Sequence, residues 1–307
     1  MNSTISTIVL ICLLSSKSFS QVPQVAHGQL IRWADFSSQY VKPRHIDIWL
    51  PPGYDSTKRY PVLYMHDGQM LFDSITTWNK KEWGVDEVLG KLMNENQISP
   101  CIVVGVWNSG PGRFADYLPE KPWFSVNENW RKALMEEPQA RAFPQGKPVS
   151  DNYLKFLVTE LKPEIDKRFA TLKNQKNTWV AGSSMGGLIS WYALCEYPKV
   201  FSRAICMSTH WTAIYRIENN LFPEAFIHYL KNKLPKPGKH KLYFDYGTAT
   251  LDSMYKPFQE KVDLIMKKKG YNQQNWITLE FPGEAHSEKA WNKRFDKPML
   301  FLEGKAN

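Results

Sequence analysis

Residues 178–186 read Thr-Trp-Val-Ala-Gly-Ser-Ser-Met-Gly, and this stretch decides the fold. The apolar run before Gly182 is typical of a buried strand, and residues 188–194 that follow have a helical pattern. Only Ser184 has glycine both two residues before it and two residues after it. A serine at such a strand–turn–helix junction lies on a strained turn with its hydroxyl above the sheet edge. We therefore predict that Ser184 is a nucleophile; the alternative is a plain Gly-Ser turn before a helix.

Short apolar runs alternate with amphipathic segments from residue 44 onward. The runs are nearly continuous in Val, Ile, Leu and aromatic residues, as in a parallel sheet that helices cover on both faces. This alternation predicts an α/β fold with an open, mostly parallel sheet. The predicted strands are 46–50, 61–65, 101–107, 178–181, 204–207, 241–246 and 276–281. We expect the first two, joined by Pro-Pro-Gly-Tyr at 51–54, to form an antiparallel hairpin.

Chain length and composition limit the classes of protein that this sequence can encode. The 307 residues are 43% hydrophobic, which is enough to bury a full core, and 17 Gly with 20 Pro exclude a collagen-like chain. Four Cys are too few for a disulfide-stapled scaffold. The net charge of +9 comes from dispersed lysines without a nucleic-acid-binding motif, so no nucleic-acid partner is expected.

The first twenty residues have the features of an export signal. An apolar run at 5–14 is too short to span a membrane, and Ser18 and Ser20 are the small residues expected before a cleavage site at Gln21. We predict a signal peptide at 1–20 and a secreted or periplasmic mature protein. No later segment approaches the roughly 20 apolar residues of a membrane span. The remaining cysteines are expected to be buried free thiols: Cys101, Cys195 and Cys206.

Residues 21–307 are predicted to form a single catalytic domain. One segment, 110–150, breaks the alternation of strands and helices, with six Pro and six aromatic residues and no clean period. An irregular stretch of that length inside a compact domain is usually functional, so we expect a lid-like insertion. A surface excursion without consequence is the alternative.

A serine nucleophile needs a base, and in α/β-hydrolases the histidine follows the serine and the acid along the chain. His286 lies directly after the last predicted strand, where its loop can fold over the nucleophile. His228 falls within a helical pattern and His240 within a basic turn, so neither follows a late strand. We therefore predict His286 as the base.

The orienting acid is expected in the loop after strand 241–246. Asp252 lies in that loop, five residues beyond Gly247, and is the predicted acid. Asp245 is its rival, but it lies inside the strand, where its side chain is expected to face a helix layer. A helix N-cap is the alternative role for Asp252.

Backbone N–H groups are expected to form the oxyanion hole. One is that of Met185, directly after the nucleophile. The other is expected from the loop after strand 61–65, where Gly68 lets the backbone turn, so that Gln69 or Met70 donates.

Three stretches together resemble the putative esterase family of α/β-hydrolases: Ile-Trp-Leu-Pro-Pro-Gly-Tyr at 48–54, Arg-Tyr-Pro-Val-Leu-Tyr-Met-His-Asp-Gly-Gln at 59–69 and Gly-Ser-Ser-Met-Gly at 182–186. That family groups feruloyl and acetyl-xylan esterases, S-formylglutathione hydrolases, enterochelin esterases and antigen 85 mycolyltransferases. The resemblance implies an α/β-hydrolase fold, carboxylic ester substrates and a metal-free mechanism without a cofactor. It places the triad at Ser184, His286 and Asp252, although family members with a G-T-x-D acid loop have fewer residues between Gly and Asp.

The substrate pocket is expected at the carboxyl edge of the sheet. Loops after the predicted strands supply its candidate substrate-binding residues, Trp107, Asn108, His210 and Trp211, together with residues 78–83. Twelve Trp in the chain suit an aromatic platform for a sugar ring or an aromatic acyl group, although core positions explain them equally well. The leading hypothesis is an exported serine esterase acting on a small-molecule or carbohydrate-linked ester. The alternatives are an acyltransferase of the mycolyltransferase type and a non-catalytic carbohydrate-binding relative.

Overall fold

A computed structural model describes residues 22–137 and 147–304. The predicted signal peptide at 1–20 and its cleavage site at Gln21 lie outside the described residues. Within the described ranges, no helix has the length and apolar character that crossing a membrane requires.

Eight strands form one sheet in the order β1-β2-β4-β3-β5-β6-β7-β8. Strand β2 is antiparallel to both of its neighbours, and every pairing from β4 to β8 is parallel. The strands are β1 Gln29–Phe36, β2 Arg44–Leu50, β3 Val62–His66, β4 Ile102–Val106, β5 Thr178–Ser183, β6 Arg203–Met207, β7 Lys241–Gly247 and β8 Trp276–Phe281. The mostly parallel α/β sheet of the sequence prediction is confirmed.

Two features of the sheet differ from the expectation. Strand β1 was not predicted, because it lies at the edge with half-buried side chains and charged residues such as Arg32 interrupt its apolar positions. The expected hairpin of the next two strands is wrong. Strand β2 pairs with β1 and β4, so β4 lies between β2 and β3, and the 51–54 turn leads across the sheet.

Helices cover both faces of the sheet. They are α1 Val85–Asn94, α2 Arg113–Tyr117, α3 Glu120–Ser125, α4 Glu128–Glu136, α5 Ser150–Phe156, α6 Lys162–Arg168, α7 Met185–Glu196, α8 Phe222–Lys233, α9 Lys256–Lys268, α10 Glu288–Asn292 and α11 Asp296–Glu303. Successive residues of a strand point to opposite faces. In β3, for example, Val62 and Tyr64 pack in the larger apolar cluster with α5 to α9, whereas Leu63 and Met65 pack with α1 and α11.

Segment 110–150 is less irregular than its sequence predicts. Helices α2, α3 and α4 occupy most of its described part, and they have only five, six and nine residues. Helices that short do not establish an apolar period over the 11 to 18 residues that such a reading needs. The segment also packs onto the domain, since the Trp123 ring stacks on Phe222 of α8 with 5.7 Å between centroids.

The predicted thiols are confirmed as free and buried: Cys101, Cys195 and Cys206. Burial raises the pKa of Cys101 and Cys195 to about 12, so both stay protonated and unreactive at neutral pH.

Helix α7 follows β5 directly and lies within the core, with its residues from Met185 to Cys195 all buried. A helix that is apolar on all sides requires packing on every side. Its position sets the direction in which the turn before it presents Ser184.

We predict that Leu188→Ala lowers the free energy of unfolding by about 2–5 kcal/mol, because the fully buried Leu188 leaves a cavity when truncated. The matched control is Leu264→Ala on α9, whose side chain is 56% exposed and whose truncation is expected to cost under about 1 kcal/mol. Urea unfolding of both variants measures the difference. Equal losses would contradict the central position of α7.

Candidate active site

Ser184 lies on the turn between β5 and α7 in a strained backbone conformation, with φ 58° and ψ −122°. Such a conformation costs about 1–3 kcal/mol for a residue other than glycine and needs support from its surroundings. The Ser184 N–H donates to the Met207 carbonyl at 3.0 Å, and the Ser184 carbonyl accepts from the His210 N–H at 3.2 Å. Both partners belong to the end of β6 and the loop after it, so the neighbouring strand supports this turn.

Gly182 allows the strand and the helix to approach each other closely. A Cβ at this position would lie 2.7 Å from the carbonyl carbon and oxygen of Gly186. A Cβ at Gly186 would instead meet its nearest neighbours, His66 and Asp67, at 3.4 and 3.5 Å, which is ordinary contact. The two glycines of the motif therefore differ: Gly182 is required because a side chain there would clash, whereas Gly186 has room for a Cβ atom.

The predicted base and acid are brought together. His286 Nδ1 and Asp252 Oδ1 are 2.5 Å apart, and the Asp252 carboxylate is fully buried. The backbone N–H of His286 donates to Thr250 Oγ1 at 2.8 Å, which links the loop of His286 to the loop of Asp252. Because Nδ1 faces the carboxylate, Nε2 is the ring nitrogen left to exchange a proton in the cavity.

The second oxygen of Asp252 accepts two further hydrogen bonds. Gly247 N–H and Ser208 Oγ each donate to Oδ2 at 2.6 Å. Ser208 Oγ in turn accepts from Trp291 Nε1 at 2.9 Å and Arg294 Nη2 at 2.8 Å. This network fixes the orientation of the Asp252 carboxylate, with Oδ1 toward His286 and Oδ2 toward Ser208.

Asp245, the rival acid, pairs with a different group. Its carboxylate accepts from Arg294 Nη2 at 3.0 Å and from Arg294 Nε at 3.2 Å, and also from Tyr243 Oη at 3.0 Å. Burial raises the pKa of Asp245 in spite of this arginine. The Asp245 carboxylate therefore faces Arg294 and Tyr243.

A cavity of about 410 Å³ contains both Ser184 and His286. Polar residues form much of its wall, and two lining side chains at its mouth are very exposed: Trp78 at 83% and Tyr215 at 79%. Its lining residues are Asp67, Gln69, Met70, Trp78, Asn79, Lys81, Trp83, Asn108, Arg113, Ser183, Ser184, Tyr215, His286, Ser287, Glu288 and Trp291.

Of the four predicted substrate-binding residues, Asn108 lines this cavity and the other three lie elsewhere. Trp107 donates from Nε1 to Asp47 at 2.8 Å and packs under Arg32, on the outer strands. Trp211 is buried, stacks on Trp191 and donates to Gln259. Trp211 is thus a core residue, whereas Trp107 is half-buried on the outer strands.

His210, the third, lies beneath the cavity wall. Its Nδ1 is 2.8 Å from Tyr255 Oη, and its ring packs 5.7 Å from that of Tyr215. Burial, with a smaller contribution from His286, lowers the pKa of His210 to about 3. His210 is therefore neutral at working pH and takes part in the site through its backbone N–H to Ser184.

The candidate oxyanion donors lie at the two sides of the serine. Met185 is the first residue of α7, where helix N–H groups have no partner within the helix. In the loop after β3, both Gln69 and Met70 line the cavity, but the Met70 N–H already donates to the Asp67 carbonyl at 2.9 Å. Of the two alternatives left by the sequence, the geometry favours Gln69.

The ion pair between Arg113 and Asp67 at the site was not predicted from the sequence. Arg113 donates from Nε and Nη2 to the Asp67 carboxylate, both at 2.7 Å. Burial would raise the pKa of Asp67, but Arg113 outweighs it and holds the pKa below its ordinary value. Forty-six residues separate the pair, so no local pattern indicates it; the only signal was the His-Asp-Gly sequence that follows β3.

His66 precedes Asp67 and is structural. Its Nδ1 is 2.8 Å from Tyr153 Oη, and burial lowers its pKa to about 3.

Within residues 22–137 and 147–304, no group of three or more His, Cys, Asp or Glu is placed to hold a metal ion.

The sheet, with a serine on the turn after its fifth strand and a histidine after its last, defines an α/β-hydrolase of the serine esterase class. Comparison with known families agrees. The model of the family described as "Putative esterase" matches residues 37–300, and the chain belongs to this family of carboxylic ester hydrolases.

Three known proteins are similar to this chain. It is 20% identical to the uncharacterized protein YbbA of Bacillus subtilis, over 85% of this chain and 93% of that protein. An IroE-like serine hydrolase from Shewanella oneidensis has a TM-score of 0.66 at 20% identity, covering 89% of this chain and 79% of that one. A ferulic acid esterase from Anaeromyces mucronatus, solved with ferulic acid, has a TM-score of 0.62 at 19% identity, covering 91% and 92%. At these identities the structural likeness concerns the fold.

We predict opposite outcomes for the two glycines of the motif. Gly182→Ala should lower the free energy of unfolding by about 1–3 kcal/mol and abolish any activity of Ser184, because the added Cβ forces β5 and α7 apart. Gly186→Ala should change the free energy by less than about 1 kcal/mol, since its Cβ finds ordinary contacts in a helix. Urea unfolding and an ester hydrolysis assay check both. A harmless Gly182→Ala would contradict the described approach.

Proposed function

We propose that this protein is an exported serine carboxylic ester hydrolase that uses Ser184, His286 and Asp252 through an acyl-enzyme. The observation that carries the proposal is the 2.5 Å contact between His286 Nδ1 and Asp252 Oδ1 at the cavity that Ser184 also lines. A carboxylate on Nδ1 fixes the tautomer in which Nε2 accepts a proton, and it stabilises the imidazolium formed when that happens.

In the proposed reaction, His286 Nε2 takes the Ser184 hydroxyl proton as the oxygen attacks the ester carbonyl. The tetrahedral oxyanion is stabilised by the N–H groups of Met185 and Gln69. The imidazolium then gives its proton to the leaving alcohol, and an acyl-enzyme remains. Water, deprotonated by the same histidine, attacks this ester and releases the acid and free Ser184.

The arrangement of the cavity supports a substrate that carries a planar ring. Trp78 and Tyr215 line the cavity from different loops, with 83% and 79% of their surfaces exposed. Exposed aromatic rings at a concave site suit stacking on a sugar or an aromatic acyl group. The ferulic acid esterase of similar fold acts on such an acyl group, so feruloyl and other carbohydrate-linked esters are the proposed substrates.

The test is hydrolysis of p-nitrophenyl acetate, p-nitrophenyl butyrate, methyl ferulate and acetylated xylan, with and without an acceptor alcohol. We predict that Ser184→Ala abolishes turnover, with a loss of about 10⁴-fold or more, because the acyl group of the proposed intermediate is carried by the Ser184 oxygen. Ser183→Ala is the matched control and should retain activity within about tenfold. Turnover that survives Ser184→Ala would refute the nucleophile. Product formed only with the acceptor would identify an acyltransferase, and no wild-type turnover would favour a binding protein.

The two buried aspartates provide a sharper test of the acid. Asp252→Asn should lower kcat by about 10⁴-fold with little change in KM, because the amide favours the wrong histidine tautomer. Asp245→Asn removes the carboxylate that Arg294 contacts through two nitrogens, so it should lower the free energy of unfolding by about 3–5 kcal/mol but lower kcat by less than about tenfold in the folded fraction. Steady-state kinetics and urea unfolding of both variants separate these effects. A reversed pattern would make Asp245 the acid.

A further inference from the structure

The loop that carries Gln69 begins with a backbone conformation that its own sequence does not favour. Asp67 has φ 58° and ψ 45°, in the left-handed region, directly before the short turn Gly68–Met70. An aspartate tolerates this region better than most residues, but it needs hydrogen bonds to stay there. Those bonds come from one part of the chain.

Three side chains from residues 108–117 hold Asp67. Arg113 donates twice to the carboxylate at 2.7 Å, and Asn108 Nδ2 donates to Oδ1 at 2.7 Å. The Asp67 backbone N–H donates to Tyr117 Oη at 3.1 Å. Every one of these partners lies in the loop after β4 or in α2, at the start of the 110–150 insertion.

The turn has little space in which to move. A Cβ on Gly68 would lie 2.5 Å from the Gly105 carbonyl carbon, so the turn is pressed against β4. On its other side, Asp67 Oδ2 lies 3.5 Å from the Cβ position of Gly186, in the first turn of α7. A change at Asp67 is therefore transmitted to the neighbouring Gln69 N–H, since packed interiors transmit strain.

We propose that Tyr117 and Arg113 are positioning residues that hold the oxyanion loop, through Asp67, in the geometry that the transition state needs. The insertion thus acts as a brace under the oxyanion hole. This inference rests on the proposed function, because it assumes that Gln69 N–H faces the oxyanion.

Tyr117 is the clean residue to test. It is fully buried and is not among the residues that line the cavity, whereas Arg113 lines it and could contact substrate directly. Tyr117→Phe removes the acceptor for the Asp67 N–H and keeps the ring. Tyr60→Phe is the matched control, since the buried Tyr60 accepts from the Asp55 N–H at 2.9 Å in a loop outside the site.

The experiment measures kcat, KM and inhibition by two ketones on whichever ester of the panel is turned over. A trifluoromethyl ketone forms a tetrahedral oxyanion on the serine, whereas its methyl counterpart binds mainly as the carbonyl. Tyr117→Phe should lower kcat about 10- to 100-fold with KM within about twofold. Affinity for the trifluoromethyl ketone should fall by the same factor, and affinity for the methyl ketone should not. Tyr60→Phe should change none of these more than about twofold.

A second variant keeps the proposal testable if Tyr117→Phe does not fold. Asp67→Asn removes the charge that pairs with Arg113 but keeps a residue that tolerates φ above zero. It should shift kcat and the ketone ratio in the same direction. An unchanged ketone ratio in the folded variants, or equal effects of Tyr60→Phe, would overturn the brace. Failure of the wild type to bind the trifluoromethyl ketone, with activity retained in Ser184→Ala, would instead overturn the proposed function beneath it.

Discussion

The close approach of β5 to the first turn of α7 is the constraint on which the rest of the structure depends. Gly182 lies so close to Gly186 that a methyl group added to Gly182 would force the two apart. Because the strand passes into the helix without a longer loop, Ser184 must adopt φ 58°, and its hydroxyl is raised from the sheet edge. The end of β6 then holds this turn through backbone hydrogen bonds, and Asp67 of the loop after β3 lies against Gly186.

Buried charged side chains lie close together around Asp252. Arg294 contacts Asp245 through two nitrogens, and it lies 3.8 Å from Asp252. One buried cation therefore faces two buried carboxylates, while Ser208 links it to the second by hydrogen bonds. Buried charged groups are costly when they are unpaired, so this grouping gives the buried Arg294 guanidinium its carboxylate partners. Asp245 therefore contacts Arg294, and Arg294 is linked to Asp252 through Ser208.

The sequence predicts the parts of this molecule that depend on local pattern. Apolar runs identified seven of the strands, six of them because they are buried and β8, a half-buried edge strand, because its sequence is still rich in apolar residues, and the Gly-x-Ser-x-Gly spacing located the turn at Ser184. Strand β1, at the other edge, was not recognised, since Arg32 and Asp35 interrupt its apolar residues. The sequence also could not show that Trp211 lies in the core and not at the cavity, because a tryptophan side chain suits either environment. The Arg113–Asp67 pair depends on packing between distant segments and has no local signature.

The order of the site along the chain has a consequence for biosynthesis. The serine turn is made about one hundred residues before His286, and Trp291 and Arg294, which support the acid, follow later still. A nascent chain that has completed β5 and α7 therefore holds the strained turn at Ser184 before Asp252, His286 and Arg294 have been made. Under the proposed function, the residues of the triad are complete in the chain only after β8, the last strand, has been made.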